Sequence, residues 1–147
     1  MSSYVSTEIR RLISERAGCI CKYCLIAEED SYYRHEIEHI ISIKHGGLSE
    51  LENLALACVF CNRNKGSDIA SVGSSSSGLI RFYNPRTDVW SENFRLDGMV
   101  ILPLTDIAEV TIRILQMNHE DQILEREVLN KVGRYPNEAA GLLIRIH

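Results

Sequence analysis

An α+β fold is predicted by three features of this chain. Helical spacing of apolar residues marks its two ends. Short β-like runs broken by glycine, Asn-Pro and Asp-Gly fill the middle. Two Cys-x-x-Cys pairs, Cys21/Cys24 and Cys58/Cys61, bracket a strand–loop–strand pattern that leads into a helix. A strand, a long loop, a second strand and a helix, with cysteines where the second strand meets the helix, make a ββα unit.

The elements follow in order. Ser6 or Thr7 caps a first helix over 7–17, with Ile9, Leu12, Ile13 and Arg16 at helical spacing and Gly18 as its stop. Cys21-Lys22-Tyr23-Cys24 is a tight knuckle, and 28–34 is polar loop. Residues 35–41 alternate as a strand, Gly46-Gly47 breaks the chain, and 54–58 suit a second strand. A helix is expected from Phe60 to about Ala70. The run 71–78, SVGSSSSG, reads as a flexible loop or linker. Strand character returns at 79–83. Asp97-Gly98, flanked by 94–96 and 99–102, is a hairpin signal. Thr105 caps a helix to about Met117, a second follows from Asn118 to about Val132, and Pro136 opens a short last one. The expected organisation is a core over 1–70 and, over 71–147, a linker and strand-helix extension packed on it.

Composition narrows the function classes. Hydrophobic residues at 45% and charged residues at 24% are ordinary globular values. No apolar run approaches the roughly 20 residues that cross a bilayer, so no membrane role is expected. The N-terminus lacks the pattern of a signal peptide, which points to the cytoplasm, where clustered cysteines bind metal more often than they pair. The net charge of −4 excludes a protein that coats nucleic acid by bulk electrostatics. Nor does charge segregate: residues 1–70 and 71–147 each carry 8 basic and 10 acidic side chains.

Four thiols in two knuckles suit one structural zinc ion. Cys19 is left over as a small core residue. Between the pairs lie residues fit for phosphodiester hydrolysis, which needs an activated water, a neutralised phosphate and help for the leaving oxygen. His39 is the candidate base. Glu38 and Asn62 are hard oxygen donors suited to Mg2+ or Mn2+. Asn53 has no proton chemistry and suits pinning the loop between the strands. His35 shares a strand face with His39 and is a candidate for metal or for a phosphate oxygen. Arg63 and Lys65 flank Asn62 and are candidate phosphate contacts, with a solvated helix face as the plainer alternative. Arg81 and Arg86 extend a nucleic-acid track or merely build turns.

The stretch Glu38-His39-Ile40-Ile41, Gly46-Gly47, Asn53-Leu54, Leu56-Ala57-Cys58 and Cys61-Asn62-Arg63-Asn64-Lys65-Gly66 resembles the HNH nucleases, the His-Me finger or ββα-metal family, in the subgroup stapled by a four-cysteine zinc. With the first cysteine pair the resemblance covers about residues 19–68. It implies a metal-dependent endonuclease with His39 as general base, Asn53 orienting the loop, and Asn62 and Glu38 holding one catalytic divalent cation. It also implies 5′-phosphate and 3′-hydroxyl ends. Asn62 stands where the family name implies histidine, and Glu38 where aspartate is common; both favour Mg2+ or Mn2+ over softer metals. The expected partner is nucleic acid, DNA before RNA, and a homo-oligomer or larger assembly is compatible with the chain. The alternative function is a non-catalytic zinc module that binds nucleic acid or protein.

Overall fold

The computed structural model describes residues 5–75 and 78–145. Helix α1 (Thr7–Ala17) starts where Ser6 Oγ accepts the Ile9 N–H at 3.2 Å, which satisfies one of the orphan donors of the first turn. It ends at Gly18, φ 68°. A Cβ there would stand 2.9 Å from the Ala139 methyl, so this glycine serves both the turn and the close approach of the C-terminal segment. The first knuckle then folds on itself. Cys21 N–H donates to Ile26 O at 2.8 Å, and Leu25 N–H to Cys21 O at 2.9 Å.

Strand β1 (Glu36–His39) pairs antiparallel with β2 (Leu54–Ala57), Glu36 opposite Ala57 and His39 opposite Leu54. Helix α2 (Val59–Lys65) follows at once, with Cys58 as its N-cap. It stops at Gly66, φ 54°, short of the expected Ala70. The residues beyond it form strand β3 (Ala70–Val72), which pairs with β4 (Leu79–Arg81). Of the run 71–78, read as loop or linker, Ser71 and Val72 belong to a hairpin strand, while 76 and 77 lie outside the described residues. Helix α3 (Trp90–Asn93) leads into the hairpin of β5 (Phe94–Asp97) and β6 (Val100–Pro103). Helices α4 (Asp106–Leu115), α5 (Glu120–Lys131) and α6 (Glu138–Arg145) complete the chain.

Two apolar clusters hold these elements. The smaller lies between α1 and the β1–β2 hairpin, where Ile13, Ala17, Leu54 and Leu56 pack with Ile9 and Ile37. The larger runs from Ile20 in the knuckle through Trp90, Phe94 and Leu115 to Ala140. Two buried polar links fix the C-terminal half to the knuckle: Trp90 Nε1–H donates to Tyr23 O at 2.9 Å, and the Tyr135 hydroxyl to Cys24 O at 2.7 Å. Each pairs a carbonyl that burial would otherwise leave unsatisfied. The hairpin thus meets α1 through β2 and α2 through β1.

Candidate active site and thiol cluster

The sulfur atoms of Cys21, Cys24, Cys58 and Cys61 lie within 4.8 Å of one another, and all four residues are buried. A zinc tetrahedron with arms of about 2.3 Å has S–S edges of about 3.8 Å. Cys24 Sγ and Cys58 Sγ are 3.8 Å apart, so the donor set and its spacing fit zinc. Burial opposes ionisation of Cys21, but thiol hydrogen bonds from Cys24, Cys58 and Cys61, and His35 nearby, outweigh it and hold this thiol well below its ordinary range. Cys19 takes no part; it is exposed and adopts φ 58°.

At the other end of the ββα unit, His39 closes β1 and is half-buried, with Nε2 2.9 Å from Ser49 Oγ. Burial first, and Lys65 second, hold its imidazole below the ordinary histidine value. A lowered value keeps the ring neutral, the form that accepts a proton. Asn53 bridges the loop just beyond. Its Oδ1 accepts the Ile41 N–H at 2.9 Å, and its Nδ2 donates to Ile41 O and Leu48 O, each at 2.9 Å. Gly47 lies in the same bridge. A Cβ there would fall 1.7 Å from Ile41 O, so only glycine lets the loop pass this close.

Strand alternation sends Glu36 and Glu38 toward α2, where they meet different partners. Asn62 Nδ2 donates to Glu36 Oε1 at 2.8 Å. Both residues line an open cleft of about 340 Å3 with Arg10, Val5 and Ile37. Glu38 is 3% exposed. It accepts a short hydrogen bond from the Tyr23 hydroxyl, and its Oε2 is 3.8 Å from Lys65 Nζ. Burial outweighs the Lys65 charge and the Tyr23 bond and pushes its carboxyl up to about 7. Glu38 and Asn62 are the expected ligands of one cation; in the structure the carboxylate that touches Asn62 is that of Glu36. Period-2 alternation was the signal for it, since Glu36 and Glu38 share a face.

Two more of the expected site residues are buried. Lys65 is 2% exposed, and its ammonium donates to His39 O at 3.3 Å and Ile40 O at 3.0 Å. It braces the end of β1 from inside. His35 is 1% exposed, with Nε2 donating to Ile26 O at 2.9 Å, so it cannot reach a phosphate. Arg63 is exposed and lines a groove of about 380 Å3 with Tyr32, Tyr33 and Phe60. Arg81 is tied to Asp88 at 2.7 Å.

Residues 21–68 match the family model described as HNH endonuclease. This segment is an HNH domain whose ββα unit carries a four-cysteine cluster suited to zinc. No curated protein and no solved structure gives a significant match to the chain. The match spans about a third of the chain. No helix among the described residues is long and apolar enough to cross a membrane.

Proposed function

We propose that the protein is a metal-dependent endonuclease that hydrolyses phosphodiester bonds in DNA. The observation that carries this reading is the Asn53 bridge, which clamps the chain two residues past a neutral, accessible His39. Such a clamp fixes an imidazole at a strand end, where a phosphate can approach it. His39 takes a proton from a water that attacks phosphorus, and the bond to the 3′ oxygen breaks. This leaves a 5′-phosphate and a 3′-hydroxyl. Asn53 is a positioning residue, acting through the backbone of Ile41. Lys65 holds the carbonyls of His39 and Ile40 from the other side.

The oxygens of Glu36 and Asn62 fit a hard divalent cation of the Mg2+ or Mn2+ kind, because they meet in an open cleft where phosphate and water supply the other ligands. When held there, such a cation would neutralise charge on the phosphate and on the leaving oxygen. Glu38 fits this task poorly, since its carboxylate is sealed in beside an ammonium.

A plasmid-nicking assay tests the reading. The wild-type protein is expected to nick supercoiled DNA with Mg2+ or Mn2+, and EDTA is expected to stop it. His39→Ala should lose about 10²- to 10⁴-fold in rate while keeping zinc content and circular dichroism. Fully zinc-loaded wild type that leaves supercoiled, linear and single-stranded DNA intact across Mg2+, Mn2+ and Ni2+ would overturn it in favour of the non-catalytic module.

A further inference from the structure

A groove of about 380 Å3 lies beside α2, between the loop after the first knuckle and α5. Tyr32, Tyr33, Phe60 and Arg63 are among its walls. Tyr32 is 92% exposed and Tyr33 62%, although aromatic rings have more to gain from burial than most side chains. The two rings meet edge to face with centroids 4.8 Å apart, an arrangement that leaves ring faces open to a third ring. Neither tyrosine belongs to the apolar clusters of the core. Among the described residues neither hydroxyl makes a hydrogen bond, and Arg63 makes no ion pair.

The groove and the proposed cation site share α2. Asn62 lines the open cleft with Glu36, while Arg63 and Asn64 line the groove. Side chains one residue apart on a helix diverge by about 100°, so the two openings stand on adjoining faces of α2. The charges in the groove select what enters it. Arg63 is its single cation, and Glu125 of α5 its single anion. A phosphate seated between them would be repelled as much as held; a neutral ring would not. The volume lies at the lower end of the roughly 300–1,000 Å3 of pockets that hold small organic ligands. Asn64, Gln122 and Glu125 supply hydrogen-bonding groups for the edge of a heterocycle.

We propose that this groove takes an unpaired nucleobase of the DNA strand, stacked on Tyr32 or Tyr33, with the phosphate next to that base on the exposed Arg63. The inference rests on the nuclease reading and names the form of substrate it favours, DNA with unpaired nucleotides. In a duplex each base face is covered by its neighbours, so only an unpaired base offers its ring to an aromatic side chain. Stacking also suits an acidic chain, because it needs no excess of positive charge. Every base has a ring face, so the groove selects a state of the strand and not a sequence.

The test uses His39→Ala protein, which should bind without cutting. A fluorescein-labelled single strand and its blunt duplex are followed by anisotropy across a KCl series. The double variant Tyr32→Ala/Tyr33→Ala and Arg63→Gln are compared with this parent. Leu79→Ala on β4 is an exposed apolar control, and Arg95→Gln on β5 a charge-matched one. Zinc content and circular dichroism are checked for each, and the tyrosine variant should keep both because its rings lie outside the core clusters. The parent should bind the single strand more tightly than the duplex. The tyrosine variant should lose about 5- to 150-fold on the single strand, the worth of one stacked base, and little on the duplex. Arg63→Gln should lower the single-strand slope of log K against log salt by about 0.7, the value of one phosphate contact, and both controls should leave it unchanged. An unchanged Arg63→Gln slope would strike out the phosphate contact. Single-strand affinity unchanged in the tyrosine variant, or a parent that prefers duplex, would overturn the base site and leave the groove to a protein partner. The readings separate because wild-type cleavage of single-stranded and supercoiled DNA is measured in parallel. Tyrosine-dependent binding without any cleavage sinks only the nuclease reading, and cleavage with tyrosine-independent binding sinks only the groove. A parent that binds no DNA at any salt, beside a wild type that cuts none, overturns both.

Discussion

The ββα unit carries two candidate metal sites that are built differently. The thiol cluster is closed: four buried sulfurs from two turns complete the coordination without outside help. The Glu36–Asn62 pair is open: two oxygens in a cleft leave most positions to water and phosphate. That contrast separates structural from catalytic metal sites in general. The first knuckle also touches the strand that carries the proposed base. Tyr23, inside the first knuckle, donates its hydroxyl to Glu38, the residue before His39. The lesson is that Glu38 belongs to the brace between the two sites, although its place beside His39 suggests chemistry.

The largest test of this contrast is removal of zinc. Structural zinc in small domains contributes about 10–16 kcal/mol of apparent binding energy, as much as the roughly 5–15 kcal/mol that holds a whole domain together. Cys58→Ser, or exhaustive chelation, is therefore expected to abolish the native fold. Trp90 reports it, being the single tryptophan and bonded to the Tyr23 carbonyl inside the knuckle. Its near-ultraviolet dichroism should vanish as zinc leaves. A Trp90 signal indifferent to zinc content would show that the closed site does not carry the core.

A smaller effect sharpens the division between the two carboxylates. Mn2+ binding, read by electron paramagnetic resonance on zinc-loaded protein, should weaken at least tenfold in Glu36→Gln, about 1.4 kcal/mol. In Glu38→Gln it should hold near the wild-type value, because that side chain faces Tyr23 and Lys65. The readout is metal affinity, so it does not depend on finding the right substrate. The opposite ranking would return the ligand role to Glu38 and require Lys65 to move aside on binding.

The fold was legible where local chemistry leaves one solution. Ser6, Gly18, Asp97-Gly98 and Thr105 punctuate the chain at the ends of α1, in the β5–β6 turn and at the start of α4. The four cysteines announced their cluster by spacing alone. What spacing could not reveal was depth. A strand of four residues exposes or buries a given side chain according to what packs on it, and α2 covers Glu38 while leaving Glu36 at its margin. Lys65 reads as a surface cation on a short helix, yet its stem crosses the core to reach two carbonyls. The β3–β4 pairing was masked by composition, because serine and glycine next to a short strand look like linker. The groove beside α2 gathers residues from Ile26 to Glu125 and has no local signature.

The smallest expected effect concerns the proton. Burial, and then Lys65, lower the affinity of His39 for a proton. A base with a depressed value stays neutral as the pH falls through the ordinary histidine range near 6.5 and is protonated only below it. Cleavage at fixed Mg2+ should accordingly hold nearly level down to that range, and its acid limb should lie below it. An NMR titration of the His39 ring in cation-free protein isolates the group, because no bound cation then adds its own charge to the shift. A midpoint below 6.5 supports a base kept ready by the interior at its back. A midpoint above it would mean that a carboxylate stabilises the imidazolium, and Glu36 or Glu38 would then have to turn toward the ring. That outcome would erase the separation between the brace and the open site.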